Sequence, residues 1–332
     1  GGEIAGKPVD NYVDETVAAL EAMDNVTLRR RMMGAGVYDH GYVLSYERLT
    51  DHAPEMDGPR HRLWRIRAGH IVTATGAIER PLSFAGNDIP GVMLASAVRD
   101  YVTNFGVSPG DRTVVVTNND NAYLTAIALK HAGLDVPAIL DARVLPTDSA
   151  LMAQAKALGI RVLMGHGVST VMGGKRVTGV AVCSQAGEGS ILETIPCDVV
   201  AMSGGWSPVV HLWSHCGGKL TWDTAQAAFK PDVDKAPTGA DGKAFVTSAG
   251  SASGALLLAD VLSDADAAGQ AAATATGHKT GRNASAAPEA SHTPEAPMAP
   301  VWLMPHGAGI KLRSKAWLDY QNDVKVSDVQ LA

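Results

Sequence analysis

The chain is poor in cysteine: its 332 residues include three, Cys183, Cys197 and Cys216. Their separation excludes a CxxC metal or redox motif, and so few suit a reducing cytoplasm. No cysteine precedes residue 183, which excludes the dithiol relay of a disulfide reductase. No apolar run reaches the ~18 residues needed to span a bilayer. The opening GGEIAGKPVDNY has neither the basic nor the apolar region of a signal peptide. It also lacks an initiator Met, so the chain reads as a fragment or a processed product. Positive charge is in deficit, and a net charge of −6 argues against nucleic acid or an anionic membrane as the main partner. There is no HExxH and no repeat of solenoid period. What remains is an ordinary globular composition, 46% hydrophobic and 19% charged, long enough for two domains.

Strand and helix patterns alternate through most of this length. Residues 12–23 read as a short helix. Strand-rich stretches follow at 26–33 and 37–49, then at 63–76, where the second strand is buried. LASAVRDYVTNFG (94–106) reads as a helix ending at Gly106, and SALMAQAKALG (149–159) as another. TVVVT, VPAILDAR and CDVVAMSGG are continuous apolar strands. Such runs belong to a parallel sheet covered on both faces, so the fold class is α/β. From about residue 264 the composition turns Ala-, Thr- and Pro-rich; its first part can extend a helix and the rest reads as a flexible linker. Tryptophans return in the tail at 302–332.

The segment TVVVTNNDNAYLTAIALKHAG (113–133) has the strand, turn and helix of a dinucleotide-binding unit, but its turn holds no glycine. The three positions of a GxGxxG/A fingerprint fall on Thr117, Asn119 and Ala122. Ala122 meets the packing requirement. Thr117 and Asn119 leave little room for a pyrophosphate, although Asn tolerates the left-handed geometry of such a turn. Asp120 is placed to cap the helix and would put a negative charge in the anion site. Asp141, ending the next strand, stands where a ribose-binding acid would. The pattern therefore predicts a Rossmann turn that is kept and a phosphate site that is weakened.

Three other segments order themselves around that unit. HIVTATGAIERPL (70–82) is a buried strand ending Ala-Thr-Gly, with a hydroxyl and bare backbone at a sheet's carboxyl end. DVVAMSGGWSP (198–208) marks a return crossover. FVTSAGSASGALLLADVL (245–262) is a closing strand and helix whose N-terminus can face a pyrophosphate. Their order predicts a truncated fold of two dinucleotide-binding domains, Rossmann-like and of flavoprotein type. Residues 1–100 would be part of the first domain, 101–200 an inserted second domain, 201–275 the return, 276–300 a flexible linker and 301–332 the start of a C-terminal segment. The Gly1-Gly2 pair fits the loop that follows a ribose-binding acid. Two further groups are weaker candidates. His211 and His215 stand at i, i+4 beside Cys216, a spacing that permits zinc on a helix but lacks a third ligand, so no metal is expected. Tyr38, Asp39 and His40 share a turn between strands.

These residues resemble a known family. RAGHIVTATGAIERPLSFAGNDIPGVMLASAVRDYV, VVVTNNDNAYLTAIALKHAGLDV, DVVAMSGGWSPVVHL and KAWLDYQNDVKVSDVQLA look like the alpha subunit of heterotetrameric sarcosine oxidase. The resemblance implies an oxidoreductase subunit acting on secondary amines, with NAD bound by this subunit. It implies FAD in a beta subunit, FMN at the alpha–beta interface, and further gamma and delta partners. It also implies tetrahydrofolate in an aminomethyltransferase-like domain beyond this segment. Products would be glycine, peroxide and formaldehyde or methylenetetrahydrofolate. The residues it implies at the NAD are Gly2, Val37, Thr75, Gly76, Gly250, Ala252 and Leu257. The tail also resembles a segment that carries cluster-binding cysteines in opine- and amine-oxidising subunits; those cysteines are absent here.

Overall fold

The structure, a computed structural model, describes residues 2–144, 149–278 and 286–332. Gly1 of the glycine pair and residues 279–285 of the expected linker lie outside the described residues. The chain divides into two compact units. One comprises Gly1–Ile78, Ser207–Thr224 and Ala228–His292; the other comprises Glu79–Trp206, Ala225–Ala227 and Thr293–Ala332.

The first unit opens with helix α1 (Val9–Glu21). It starts three residues before the position expected from its apolar spacing, because Pro8 stands at the N-cap and Asp10 lies in the first turn, where it complements the helix dipole. An antiparallel meander follows: β1 (Met32–Tyr38), β2 (Tyr42–Arg48) and β3 (His61–Arg67). Residues 26–31, expected as strand, are not strand. Three successive arginines cannot alternate into a half-buried face, and they are used at the surface instead. Arg29 lies over the Trp64 ring at 5.3 Å and Arg30 pairs with Glu21 at 2.7 Å. The first pass through this unit ends in β4 (Ile71–Thr73).

The second unit holds a five-stranded parallel sheet. Its elements are β5 (Val92–Leu94), α2 (Ala95–Phe105), β6 (Thr113–Thr117), α3 (Asn121–His131), β7 (Ala138–Asp141), α4 (Ala150–Ala157) and β8 (Arg161–Met164). An antiparallel sheet, β9 (His166–Gly173), β10 (Val177–Ser184) and β11 (Ile191–Pro196), precedes the last parallel strand, β12 (Val199–Ser203). The strand order is β8-β7-β6-β12-β5. Side chains alternate along each strand. Val115, Ile139, Val199 and Ala201 pack against Tyr123, Leu129 and Leu151 of the helices. Val114, Val116, Leu140 and Val200 pack against Val168, Val180 and Val182 of the antiparallel sheet. Both faces are buried, so the strands read as unbroken apolar runs. One cover is helical and the other is a sheet.

The chain then returns to the first unit. A short helix, α5 (His211–His215), is followed by β13 (Val246–Ser248) and α6 (Leu258–Ala275). β13 lies parallel to β4, with Val246 opposite Ile71 and Ser248 opposite Thr73.

Candidate functional site

The carboxyl ends of β4 and β13 lie side by side, and most of the predicted site residues gather there. Thr75 donates its hydroxyl to the Val209 carbonyl at 2.7 Å, and the Gly76 carbonyl accepts from the Val209 amide at 2.9 Å. Gly76 has φ +77°, and a Cβ there would meet nothing within 4 Å, so its backbone faces open space. Gly250, just past β13, has φ +64° and is buried with Ala252. The Gly250 amide donates to the Asp264 carboxylate at 2.6 Å, and the Ser253 hydroxyl donates to the same oxygen at 2.7 Å. Asp264, on α6, thus ties the glycine turn to the helix that follows it. The sequence gives little sign of it, because its role depends on the helix folding back over the turn.

Leu257 is the N-cap of α6 and supplies no side-chain cap. The first N–H groups of this 18-residue helix, at the positive end of its dipole, therefore have no side-chain acceptor at the N-cap, and Asp260 lies in the same turn. Gly2 adjoins this end: a Cβ on it would stand 3.3 Å from Leu258 Cδ2 and 2.7 Å from the Ser291 carbonyl. Val37 is placed differently. It is 1% exposed and packs with Trp213, Phe245 and Val246, so its side chain belongs to the core of the unit. A cavity of about 340 Å³ runs beside β13 and α6, lined by Trp213, Thr247, Ser253, Asp264 and Ala268 among others. That size falls at the lower end of small-ligand sites.

In the second unit, the turn after β6 is closed by its own side chains. Thr117 Oγ1 donates to the Asn119 carbonyl at 2.8 Å and accepts from the Asn119 amide at 3.0 Å. No residue from Thr117 to Ala122 has a positive φ, so the turn forms without the left-handed Asn that the sequence suggested. The Asn119 amide group donates to Asn118 Oδ1 at 2.9 Å and to Ser203 Oγ at 3.0 Å. Asn118 and Asn119 are 0% and 5% exposed, and their side chains fill the volume beside the turn.

Asp120 does not cap α3 with its side chain. Instead it pairs with Arg143 Nη2 at 2.6 Å, while the same nitrogen bonds Asp141 Oδ2 at 2.6 Å. Asp141 also accepts from the Tyr123 hydroxyl at 2.8 Å. The acid at the ribose position is therefore consumed by an internal ion pair. Burial alone would lower the Arg143 pKa. The hydrogen bonds and charges of Asp141 and Asp120 outweigh it and hold the guanidinium above its ordinary value. Burial, helped by the Asp141 carboxylate, raises the Tyr123 phenol. Arg143 and Tyr123 were not among the residues singled out from sequence; an Asp-x-Arg step ending an apolar strand was the available signal.

His211 and His215 are both exposed on α5, and Cys216 is buried beyond its end. Among the described residues, no group of three or more His, Cys, Asp or Glu side chains could hold a metal. His40 sits at φ 59° in the turn between β1 and β2, and Tyr38 meets the His215 ring edge-on at 4.7 Å.

With this geometry in view, the comparisons with known proteins fall into place. No family model matches the chain. The sarcosine oxidase alpha subunit of Corynebacterium sp. (strain P-1) is 38% identical over 99% of this chain. That of Rhizobium meliloti (strain 1021) is 37% identical over 99% of it. The chain belongs to the sarcosine oxidase alpha subunit family. It spans about a third of the length of these relatives, 34% and 31% respectively. The fold is shared more widely. L-proline dehydrogenase from P. horikoshii aligns at TM-score 0.58 and 21% identity, covering 82% of this chain and 46% of that one. Thioredoxin reductase from T. acidophilum aligns at TM-score 0.55 and 17% identity, covering 82% of this chain and 81% of its own. At these identities the likeness establishes the fold of FAD/NAD(P)-binding oxidoreductases. No helix among the described residues is long and apolar enough to cross a membrane.

Proposed function

We propose that this chain is the dinucleotide-binding core of an amine-oxidising complex of the sarcosine oxidase type, with NAD held in the first unit. The observation that carries this reading is the junction at the ends of β4 and β13. Open backbone at Gly76, the turn at Gly250 and the uncapped start of α6 converge there, in a chain 38% identical to a sarcosine oxidase alpha subunit over 99% of its length. Bare backbone and a helix N-terminus are the features a pyrophosphate needs. In this reading Gly76, Gly250 and Ala252 allow close approach, and Thr75, Gly2 and Leu257 border the ligand. Val37 supports the strand beneath from the core. Asp264 is a positioning residue that fixes the turn.

The rest of the assembly follows from the family. FAD in a beta subunit and FMN at the interface would supply the redox chemistry, with gamma and delta subunits completing a cytoplasmic complex. Tetrahydrofolate would be bound by a part of the whole subunit outside this segment. Residues of this chain would bind and orient the dinucleotide without a hydride-transfer role. The test is peroxide release when sarcosine is added to the full-length subunit co-purified with its partners, together with nucleotide released by acid. Sarcosine-dependent peroxide and stoichiometric NAD are expected. Flavin-loaded complex that ignores sarcosine but oxidises another secondary amine would overturn the substrate. Complex without NAD would overturn the cofactor.

A further inference from the structure

The end of the parallel sheet in the second unit is where a doubly wound sheet binds a nucleotide, in the crevice beyond the carboxyl ends of its strands. Here that crevice is filled by the chain itself. Residues 293–304, TPEAPMAPVWLM, cross it in extended form without helix or regular strand. Pro294, Pro297 and Pro300 recur at every third position, the repeat of a polyproline II helix. Such a segment has few N–H groups, and those of Ala296 and Ala299 are met by residues of the crevice.

The Ala296 amide donates to Asp120 Oδ2 at 2.7 Å, and the Ala299 amide donates to the Asn118 carbonyl at 3.0 Å. Going the other way, the Asn118 amide group donates to the carbonyls of Ala299 and Val301, each at 2.9 Å. Arg143 Nη1 donates to the Pro297 carbonyl at 3.3 Å. Asn118 and Asp120, which stand between and beside the fingerprint positions Thr117 and Asn119, and Arg143, which is paired to the acid at the ribose position, are therefore the residues that read the segment's backbone.

The glycine pair ending the β12 run supplies an independent observation. A Cβ on Gly204 would stand 3.0 Å from Trp302 Cδ1, and one on Gly205 would stand 3.0 Å from Met298 Sδ. Trp302 Nε1 donates to the Gly204 carbonyl at 3.0 Å, and Arg80 covers the Trp302 ring at 4.9 Å. Arg80 is itself held by the carbonyls of Gly204, Gln226 and Ala227. These glycines make room for large side chains of the segment.

We propose that the nucleotide crevice of the second unit is a peptide receptor for an extended, proline-spaced segment, and that its ligand is residues 293–304 of this chain. Backbone recognition comes from Asn118, Asp120 and Arg143, and anchoring comes from Met298 and Trp302. The crevice takes no nucleotide.

The test is amide hydrogen exchange on the full-length subunit in its complex, read at Ala296, Ala299, Val301 and Met304, with and without millimolar NAD and NADP. Strong protection, unchanged by either nucleotide, is expected. Ala296→Pro removes one N–H while keeping the extended backbone and leaves the crevice residues intact. It should speed exchange across 299–304 about tenfold, and Asn118→Ala should do the same. Exchange at the rate of an unstructured chain would overturn the proposal. So would protection that either nucleotide abolishes, since the crevice would then still be a nucleotide site. Unaltered protection in both variants would also overturn it.

Discussion

Arg143 is 3% exposed and stands between two carboxylates, Asp120 and Asp141, that are 0% exposed. Removing the cation while leaving both acids in place costs about 3–5 kcal/mol in comparable buried groups. Arg143→Met should therefore lower the melting temperature on the order of 10 °C, measured by calorimetry. A loss under about 2 °C would mean that water reaches these acids. The thiols make a second prediction at this scale. Burial pushes Cys183 up to about 11 and Cys197 up to about 12. All three cysteines are buried, so a thiol reagent at pH 8 should label none in the native chain and three after denaturation. The folded chain keeps these thiols protonated to higher pH than the unfolded chain, whose thiols titrate near ~8.5. Their contribution to stability is whole below that pH and is lost as the pH rises through about 11 and 12. Denaturation midpoints from pH 8 to 11 should fall accordingly.

At the scale of elements, the junction of β13 and α6 depends on one backbone angle and one carboxylate. Gly250 has φ +64°, and a Cβ there would press on Val261 Cγ1 at 3.2 Å. A left-handed non-glycine residue costs roughly 1–2 kcal/mol. Gly250→Ala should thus destabilise by about that amount and release NAD, read as acid-extractable nucleotide per subunit. Asp264→Asn removes the charge that accepts from Gly250 and Ser253. Hydrogen bonds to charged groups contribute about 1.5–3 kcal/mol, so this variant should loosen the same turn and lower NAD content. If both variants keep full NAD, the nucleotide is not held at this junction. The elements themselves were largely legible. TVVVT and VPAILDAR were readable as buried strands because both their faces are covered. The start of β1 was not legible, because nothing local says whether Arg29 will pair with a strand neighbour or lie on Trp64. The helical covers were legible on one face of the sheet; residues 160–184 were legible as strands, but their placement as part of the antiparallel β9-β10-β11 cover on the other face was not.

At the scale of the whole molecule, the order of motifs carried the architecture. Thr75-Gly76, the turn at Thr117, the glycine pair at 204–205 and the closing 245–262 segment follow one another as two interleaved dinucleotide-binding units would. The weakened turn was also legible, since a missing glycine is a local fact. The fate of the space it vacated was not. Composition marked residues 276–300 as a linker, yet 296–300 are bonded across the sheet end, because Ala296 and Ala299 find acceptors on Asp120 and Asn118. By itself the sequence determined most of the strands and helices and the absence of glycine from the turn after Thr117, since periodicity, glycine and proline act over a few residues. Tertiary structure alone decided that Asp120, Asp141 and Arg143 neutralise one another and that Asp264 ties down Gly250. It also decided that the 293–304 segment fills the crevice, because burial in a low dielectric makes each of these polar groups depend on partners brought together by the fold.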